Sequence, residues 1–154
     1  MKHFTKIRSI ILTIILLLGA IPAAAVERPF AMSGTGVAVL ITDENGNLIG
    51  ATPTGSGTAT HLGSWTVAGN VTYTPDGGVL RSGGQATLAA ANGDTLIFEV
   101  DGVLDPIAAV DQGVFRFIGG TGRFAGASGT IDFVVSINPA NGGFELTAVG
   151  RIDY

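Results

Sequence analysis

Apolar and polar residues alternate along most of the chain after residue 25, in segments separated by short polar, glycine-containing runs. The segment from Trp65 to Thr74 shows the pattern clearly. Every second residue from Trp65 to Tyr73 is apolar or glycine, and the residues between them are threonine, alanine or asparagine. Strict alternation is typical of β-strands that turn one face to a core. No helical stripe of apolar residues competes with this interpretation, so the sequence predicts an all-β protein.

The short turns divide the chain into nine extended segments, which we interpret as roughly eight strands. Asn45-Gly46 is a strong hairpin signal, and Pro53 with Gly55 is expected to separate two short strands. Gly83-Gly84 is expected to place a bulge or bend inside one longer strand. The predicted strands cover residues 30–42, 48–52, 56–61, 65–74, 79–91, 95–104, 112–118, 131–138 and 144–152.

The apolar residues of each predicted strand share one face, and most charged residues lie on the other face. An antiparallel sheet with one apolar face must close on itself or pack against a second sheet. Closure removes free strand edges, and glycines on the predicted inner face at Gly69, Gly102 and Gly150 suit a narrow interior. A single antiparallel eight-stranded barrel is therefore favoured over a two-sheet sandwich.

Residues 1–25 have the composition of a secretory signal peptide. Three basic residues precede an apolar run at residues 10–21, and Ala23-Ala24-Ala25 offers small residues for cleavage. The apolar run is shorter than the roughly 20 residues that span a bilayer, which disfavours the alternative of an uncleaved anchor. We expect cleavage after Ala25, a barrel domain over residues 26–154, and a secreted or periplasmic protein.

The chain after residue 25 contains twelve acidic and five basic residues, a net charge of about −7. This balance argues against binding to nucleic acid or to an anionic membrane surface, since both need a basic patch. The sequence has no cysteine, which excludes disulfides, thiol catalysis and cysteine-ligated metal. His61 is the single histidine of this part and has no partner for a metal site, so we expect neither a metal nor a cofactor.

A glycine-rich stretch around residue 120 is longer than the hairpin turns. Residues 120–125 match the dinucleotide-binding pattern G-x-G-x-x-G/A, but that pattern needs a following helix, and a strand follows here. A structural corner fits better, with Thr121 capping a helical turn and Phe124 plugging the barrel end. Arg123 would bind carbonyls or an acid there; the alternative is that it holds an anion with exposed N–H groups. The predicted corner consists of Gly119, Gly120, Thr121, Gly122, Arg123, Phe124, Gly126 and Gly129.

The segment from Phe117 to Gly129 resembles the glycine corner of the allene oxide cyclase and dirigent barrels. It is similar also to a set of secreted bacterial proteins of unassigned function that share this barrel, and residues 56–63 resemble a second segment of that set. The resemblance implies an eight-stranded antiparallel barrel. The enzymatic relatives act through polar and ionisable groups at the barrel mouth. These groups have no residue-by-residue match in this sequence, so the resemblance transfers no catalytic residue.

Three other features have both a functional and a structural interpretation, and a fourth is a glycosylation sequon. His61 is either a general base or a hydrogen-bonded residue at a strand end, and the second is favoured. Asp43 to Asn47 begins like a calcium loop but lacks its later ligands, so a hairpin turn is favoured. Glu99 and Asp101 share a face as paired carboxylates, yet that face is predicted to be solvated. Asn70 begins a glycosylation sequon.

Six aromatic residues on predicted inner faces either pack the lumen or line a cavity for one small ligand. The first hypothesis is a non-catalytic barrel that binds a small hydrophobic molecule or has a structural role. The alternative is a cyclase- or isomerase-like enzyme that uses the lumen for a hydrophobic substrate. The six residues are Trp65, Tyr73, Phe98, Phe115, Phe133 and Phe144.

The direction of the polar groups discriminates between these hypotheses. An enzyme should turn ionisable groups inward near an opening, whereas a binding protein should show an apolar cavity. Almost every acid and base falls on the predicted outer face, which favours the non-catalytic hypothesis and identifies no catalytic residue. Arg116 is the exception to check, because Val114 and Ile118 share its face.

Overall fold

The computed structural model describes residues 26–154, which form a closed barrel of eight antiparallel strands. Each strand pairs with the next along the chain, and the last returns to pair with the first. The predicted signal peptide lies outside the described residues. Within the described part, no helix is long and apolar enough to cross a membrane. The strands are β1 Arg28–Thr42, β2 Leu48–Ala59, β3 Gly63–Asp76, β4 Val79–Ala90, β5 Thr95–Asp105, β6 Val110–Gly120, β7 Ser128–Ile137 and β8 Gly143–Asp153.

Alternate residues of each strand point into the barrel, as the sequence pattern predicts. On β3, Trp65, Val67 and Tyr73 are buried, whereas Thr66 and Ala68 between them are exposed. The predicted fold class, an all-β eight-stranded antiparallel barrel, is confirmed. Each large side chain buried in this way contributes roughly 1.5–3 kcal/mol to folding. The most completely buried large side chains are Phe30, Trp65, Leu88, Leu96, Phe124, Ile131 and Ile152.

The two ends of the barrel differ. Odd-numbered strands run from the end where β1 begins to the opposite end, and even-numbered strands return. At the first end, here called the closed end, a short 3₁₀ helix at Gly122–Phe124 joins β6 to β7. At the second, here called the open end, four connections join the strands in pairs. They span residues 43–47, 77–78, 106–109 and 138–142.

Strand β2 is continuous through Pro53 and Gly55, where the sequence analysis expected two separate strands. Pro53 pairs with Ala38 of β1, and that ladder runs without a gap from Met32 to Ile41. The ladder to β3 has no pairs at Thr52 and Pro53. A proline has no N–H to donate, so it weakens one ladder only. The strand stays continuous because β1 keeps an unbroken ladder with it on the other side.

Strand β4 runs through Gly83-Gly84 without the bulge that the sequence analysis expected. Its register with β3 and with β5 is unbroken across both glycines. Gly84 has φ +140, and a Cβ atom there would overlap the carbonyl oxygen of Asn70. A glycine is therefore needed here because two backbones approach closely, and not because a residue is inserted into the strand. Register shifts occur instead at Ile41/Thr42 and at Ile97/Phe98.

The glycine corner places an aromatic ring inside the closed end. Phe124 is fully buried, and its ring centroid lies 4.9 Å from that of Tyr154. Arg123 stays exposed, with its Nε 3.8 Å from a carboxylate oxygen of Asp94 and its guanidinium over the Phe124 ring. The corner thus directs its apolar side chain inward and its charged side chain toward an acid at the surface.

Thr121 does not cap the short helix, contrary to the sequence-based expectation. The helix spans Gly122–Phe124, and no side-chain hydrogen bond from Thr121 closes its first turn. The Thr121 Oγ1 instead accepts a hydrogen bond of 2.9 Å from the backbone N of Thr95. The Thr121 hydroxyl therefore fastens the corner to the start of β5.

Candidate ligand cavity in the open half of the barrel

The open half of the barrel contains a cavity of about 80 Å³. Five of the six aromatic residues that the sequence analysis assigned to the lumen line it. The sixth, Trp65, lies outside the cavity wall. Its ring fills the space over Gly34 and Gly57, where any Cβ atom would overlap it. The wall consists of Ala38, Ala51, Pro53, Val67, Val71, Tyr73, Ala86, Phe98, Val100, Asp111, Phe115, Phe133, Val135, Phe144 and Leu146.

Three phenylalanine rings form one continuous side of this cavity. The centroids of Phe115 and Phe133 are 4.0 Å apart and their planes differ by 9°. Phe98 continues the row, with its centroid 4.5 Å from that of Phe115. Small alanine side chains at Ala51 and Ala86 also line the cavity, so the space between the walls stays unfilled.

A buried polar pair interrupts the apolar wall. Asp111 at the start of β6 and Ser82 on β4 are 5% and 3% exposed, and the Ser82 hydroxyl donates a 2.7 Å hydrogen bond to Asp111 Oδ1. Tyr73 lies directly opposite Ser82 in the β3–β4 ladder. Gly102 makes room for the pair, since a Cβ atom there would come within 2.7 Å of the Ser82 hydroxyl. The cavity therefore holds one carboxyl group among hydrocarbon.

Burial raises the pKa of both ionisable side chains in the cavity wall, Asp111 and Tyr73. Loss of hydration raises the pKa of Asp111 to about 6, although the hydrogen bond from Ser82 opposes the shift. Burial and the neighbouring Asp111 raise the pKa of Tyr73, so its phenol stays neutral at physiological pH. A carboxyl group with a pKa near 6 changes its charge between mildly acidic and neutral conditions.

Asp111 is buried, an exception to the expectation that almost every acid and base faces solvent. Arg116, whose direction the sequence analysis left to be checked, is exposed and lies opposite Glu99 on the outer wall. The alternation of residues along β6 could have identified Asp111 as buried, since it shares a face with Gly113, Phe115 and Phe117. The predicted strand began at Gln112, one residue too late to include it, whereas β6 begins at Val110.

The other candidate sites lie away from the cavity. His61 adopts φ +66 in the turn after β2 at the closed end, and its Nε2 lies 3.1 Å from the carbonyl oxygen of Pro29. Glu99 and Asp101 are exposed on the outer wall. Among residues 26–154, no group of three or more histidine, aspartate or glutamate side chains could hold a metal ion.

The loop that resembles a calcium site is a hydrogen-bonded turn. Asp43 Oδ1 accepts from the backbone N of Asn45 at 2.9 Å and of Asn47 at 2.8 Å. The Asn47 amide donates to the second oxygen, Oδ2, at 2.9 Å. These hydrogen bonds lower the pKa of Asp43 and occupy the oxygens that a cation would need.

We expect the barrel to lose stability as the pH rises through the range in which Asp111 ionises. A carboxyl group has a pKa near 3.9 in an unfolded chain, against about 6 for Asp111 in the barrel. Between these values the folded state keeps a proton that the unfolded state releases, so stability falls with rising pH, by roughly 1–3 kcal/mol. Asp111→Asn should remove this fall.

Chemical denaturation at pH values from 4 to 8 measures the effect. Asp101→Asn, on the exposed face of β5, is the matched control and should keep the wild-type profile. Parallel pH profiles for wild type and Asp111→Asn would contradict the burial of this carboxyl group.

The comparisons with known proteins agree with the barrel. No family model matches the chain, and no curated protein matches it in sequence. The structure of the pterocarpan synthase dirigent protein PsPTS1 resembles it with a TM-score of 0.56 and 13% identity, over 83% of this chain and 94% of that chain. The structure of the pterocarpan synthase dirigent protein GePTS1 has a TM-score of 0.56 and 16% identity, over 84% and 93% of the two chains. At these identities the likeness shows the fold, and the chain forms a dirigent-like barrel.

Proposed function

We propose that this protein binds a small, largely apolar molecule in the open half of its barrel, outside the cytoplasm. The observation that carries the proposal is the contrast between the two ends. At the closed end the side chains of Phe30, Phe124 and Ile152 are almost completely buried. In the open half, an apolar cavity of about 80 Å³ remains.

The composition of the cavity wall supports binding over a purely structural role. A structural barrel gains stability from a filled lumen, because each unfilled volume forfeits packing contacts. Here Ala38, Ala51 and Ala86 leave space that larger aliphatic side chains would fill. The cavity is smaller than the roughly 300–1,000 Å³ typical of sites for drug-sized ligands. The proposed ligand is therefore a molecule of few heavy atoms.

A specific observation favours a second candidate function, the isomerisation or cyclisation of a hydrophobic substrate. Asp111 places one carboxyl group against the apolar wall, and its pKa of about 6 suits proton transfer near neutral pH. The two similar structures are named as pterocarpan synthase dirigent proteins. In this alternative Asp111 would exchange a proton with the bound substrate, and Ser82 would hold the carboxyl group in place.

Native mass spectrometry of the protein purified from its own host tests the proposal. We expect a retained small molecule in the wild type and its loss in Ala51→Leu, which fills the cavity from β2. Ala68→Leu is the matched control, because Ala68 lies on the exposed outer face of β3. A ligand-free wild type, or equal retention by Ala51→Leu, would contradict binding in the lumen.

The retained small molecule can then be used to distinguish binding from catalysis. Recovery of the ligand unchanged after incubation with fresh protein supports simple binding. Conversion to an isomer by the wild type but not by Asp111→Asn supports catalysis.

A further inference from the structure

We infer that the molecule held in the open half of the barrel is a small alkylated ammonium ion, with its positive charge beside Asp111 and its alkyl groups against the aromatic rings. This inference rests on the proposed function and names the chemical class of the ligand.

The first argument is the charge balance inside the barrel. Asp111 receives a hydrogen bond from Ser82, and within residues 26–154 no arginine or histidine forms a salt bridge with it. This part of the chain contains no lysine, and its arginines lie elsewhere. A carboxylate can accept about four hydrogen bonds, and a buried charge is normally paired. The arginines are accounted for by Arg28 with Tyr154, Arg81 with Asp76, Arg123 with Asp94, Arg151 with Glu27, and Arg116 exposed on the outer wall.

The second argument is the aromatic wall. Tyr73, Phe98, Phe115, Phe133 and Phe144 line the same small cavity as the Asp111 carboxyl group. The face of an aromatic ring attracts a cation, and the attraction strengthens when the cation is shielded from water. Several rings together with one carboxylate are complementary to an organic ammonium ion.

The small number of side-chain oxygens in the cavity wall favours an ammonium ion that carries alkyl groups. A primary ammonium has three N–H donors to satisfy, whereas Asp111 and Tyr73 supply the side-chain oxygens of the wall. Alkyl groups replace those donors with surface that suits the surrounding hydrocarbon. An anion would meet the charge of Asp111 with no cationic side chain to hold it, and a neutral hydrocarbon would leave that charge unpaired.

The proposed ligand class predicts a pH dependence of binding. The groups that face Asp111 are Ser82 from β4 and Tyr73 from β3, and its ladder partners Leu104 and Val135 are apolar. Since the phenol of Tyr73 stays neutral, Asp111 alone titrates between pH 5 and pH 8 in this cavity. Affinity for a cation should therefore be constant above pH 7 and fall about tenfold per pH unit below the pKa of Asp111.

Isothermal titration of the folded barrel with choline and with its uncharged isostere 3,3-dimethylbutan-1-ol tests the inference. At pH 8 we expect choline to bind at least about tenfold more tightly than the alcohol. Asp111→Asn should abolish this preference, and Asp101→Asn on the outer wall should keep it. Phe144→Leu, which removes one ring face and no charge, should weaken choline about threefold or more and leave the alcohol nearly unchanged.

The outcomes separate the inference from the function on which it rests. Equal affinity for both compounds, or choline binding that does not change between pH 8 and pH 5, would overturn the ammonium inference. Binding of the alcohol alone would overturn it too, while the proposed apolar binding function would stand. Binding of neither compound, together with a ligand-free protein from the native host, would overturn both.

Discussion

Replacing Phe124 by alanine is expected to lower the free energy of unfolding by about 3–5 kcal/mol. Phe124 is fully buried at the closed end, next to the ring of Tyr154. Removing its ring would leave a void that the single turn around it cannot close, because Thr121 fastens that turn to Thr95. The loss should appear as a lower midpoint in urea denaturation with an unchanged slope.

Arg123→Ala is the matched control for this prediction. Arg123 is the neighbour of Phe124 in the same helical turn, but it is exposed and its contact with Asp94 is long, at 3.8 Å. We expect a change below about 1 kcal/mol, as for other exposed ion pairs. A comparable loss in both variants would mean that the corner depends on local geometry and not on the buried ring.

Gly57→Ala is the second change with a large expected effect, a loss of roughly 3 kcal/mol or failure to fold. A Cβ atom at Gly57 would overlap the carbonyl oxygen of Ser33 on β1 and the ring of Trp65 on β3. The carbonyl belongs to the backbone, so rotation of a side chain cannot relieve the contact. The methyl group would have to push β1 away from β2.

Gly83→Ala tests whether this cost is specific to the close contacts at Gly57. Gly83 also lies inside a strand, but the atom nearest to a methyl group at this position would be 3.8 Å away, an ordinary contact distance. We expect a change within about 1 kcal/mol. Thermal unfolding of both variants, followed by circular dichroism, measures the difference, and equal melting temperatures would contradict the packing described for Gly57.

The alternation of residues was enough to predict the strands and the direction of most side chains. On β3 it assigned Trp65, Val67 and Tyr73 to the interior, where they lie. The pattern failed at β2, because the effect of Pro53 depends on a partner strand that the local sequence does not reveal. A proline or glycine therefore predicts the end of a strand only where no neighbouring strand keeps the hydrogen-bond ladder intact.

The candidate site could be predicted only in part, because alternation gives the face of a residue and not its depth in the barrel. Phe115 and Trp65 share the inner face, yet Phe115 lines the cavity and Trp65 packs against Gly34 and Gly57. Asp111 was missed because an acidic residue beside a turn resembles a solvated strand end. It is hydrogen-bonded to Ser82, 29 positions earlier in the chain, and this contact follows from the pairing of β4 with β5 and of β5 with β6.

Because Phe30, Phe124 and Ile152 are buried at the closed end, we expect the lumen to be entered from the open end. A ligand of the proposed kind would then enter and leave through the same opening, so association and dissociation would share one kinetic barrier. Four connections surround the open end, at residues 43–47, 77–78, 106–109 and 138–142. They would then govern how long a ligand stays bound. Stiffening them would slow both steps together and prolong residence while leaving the equilibrium affinity unchanged.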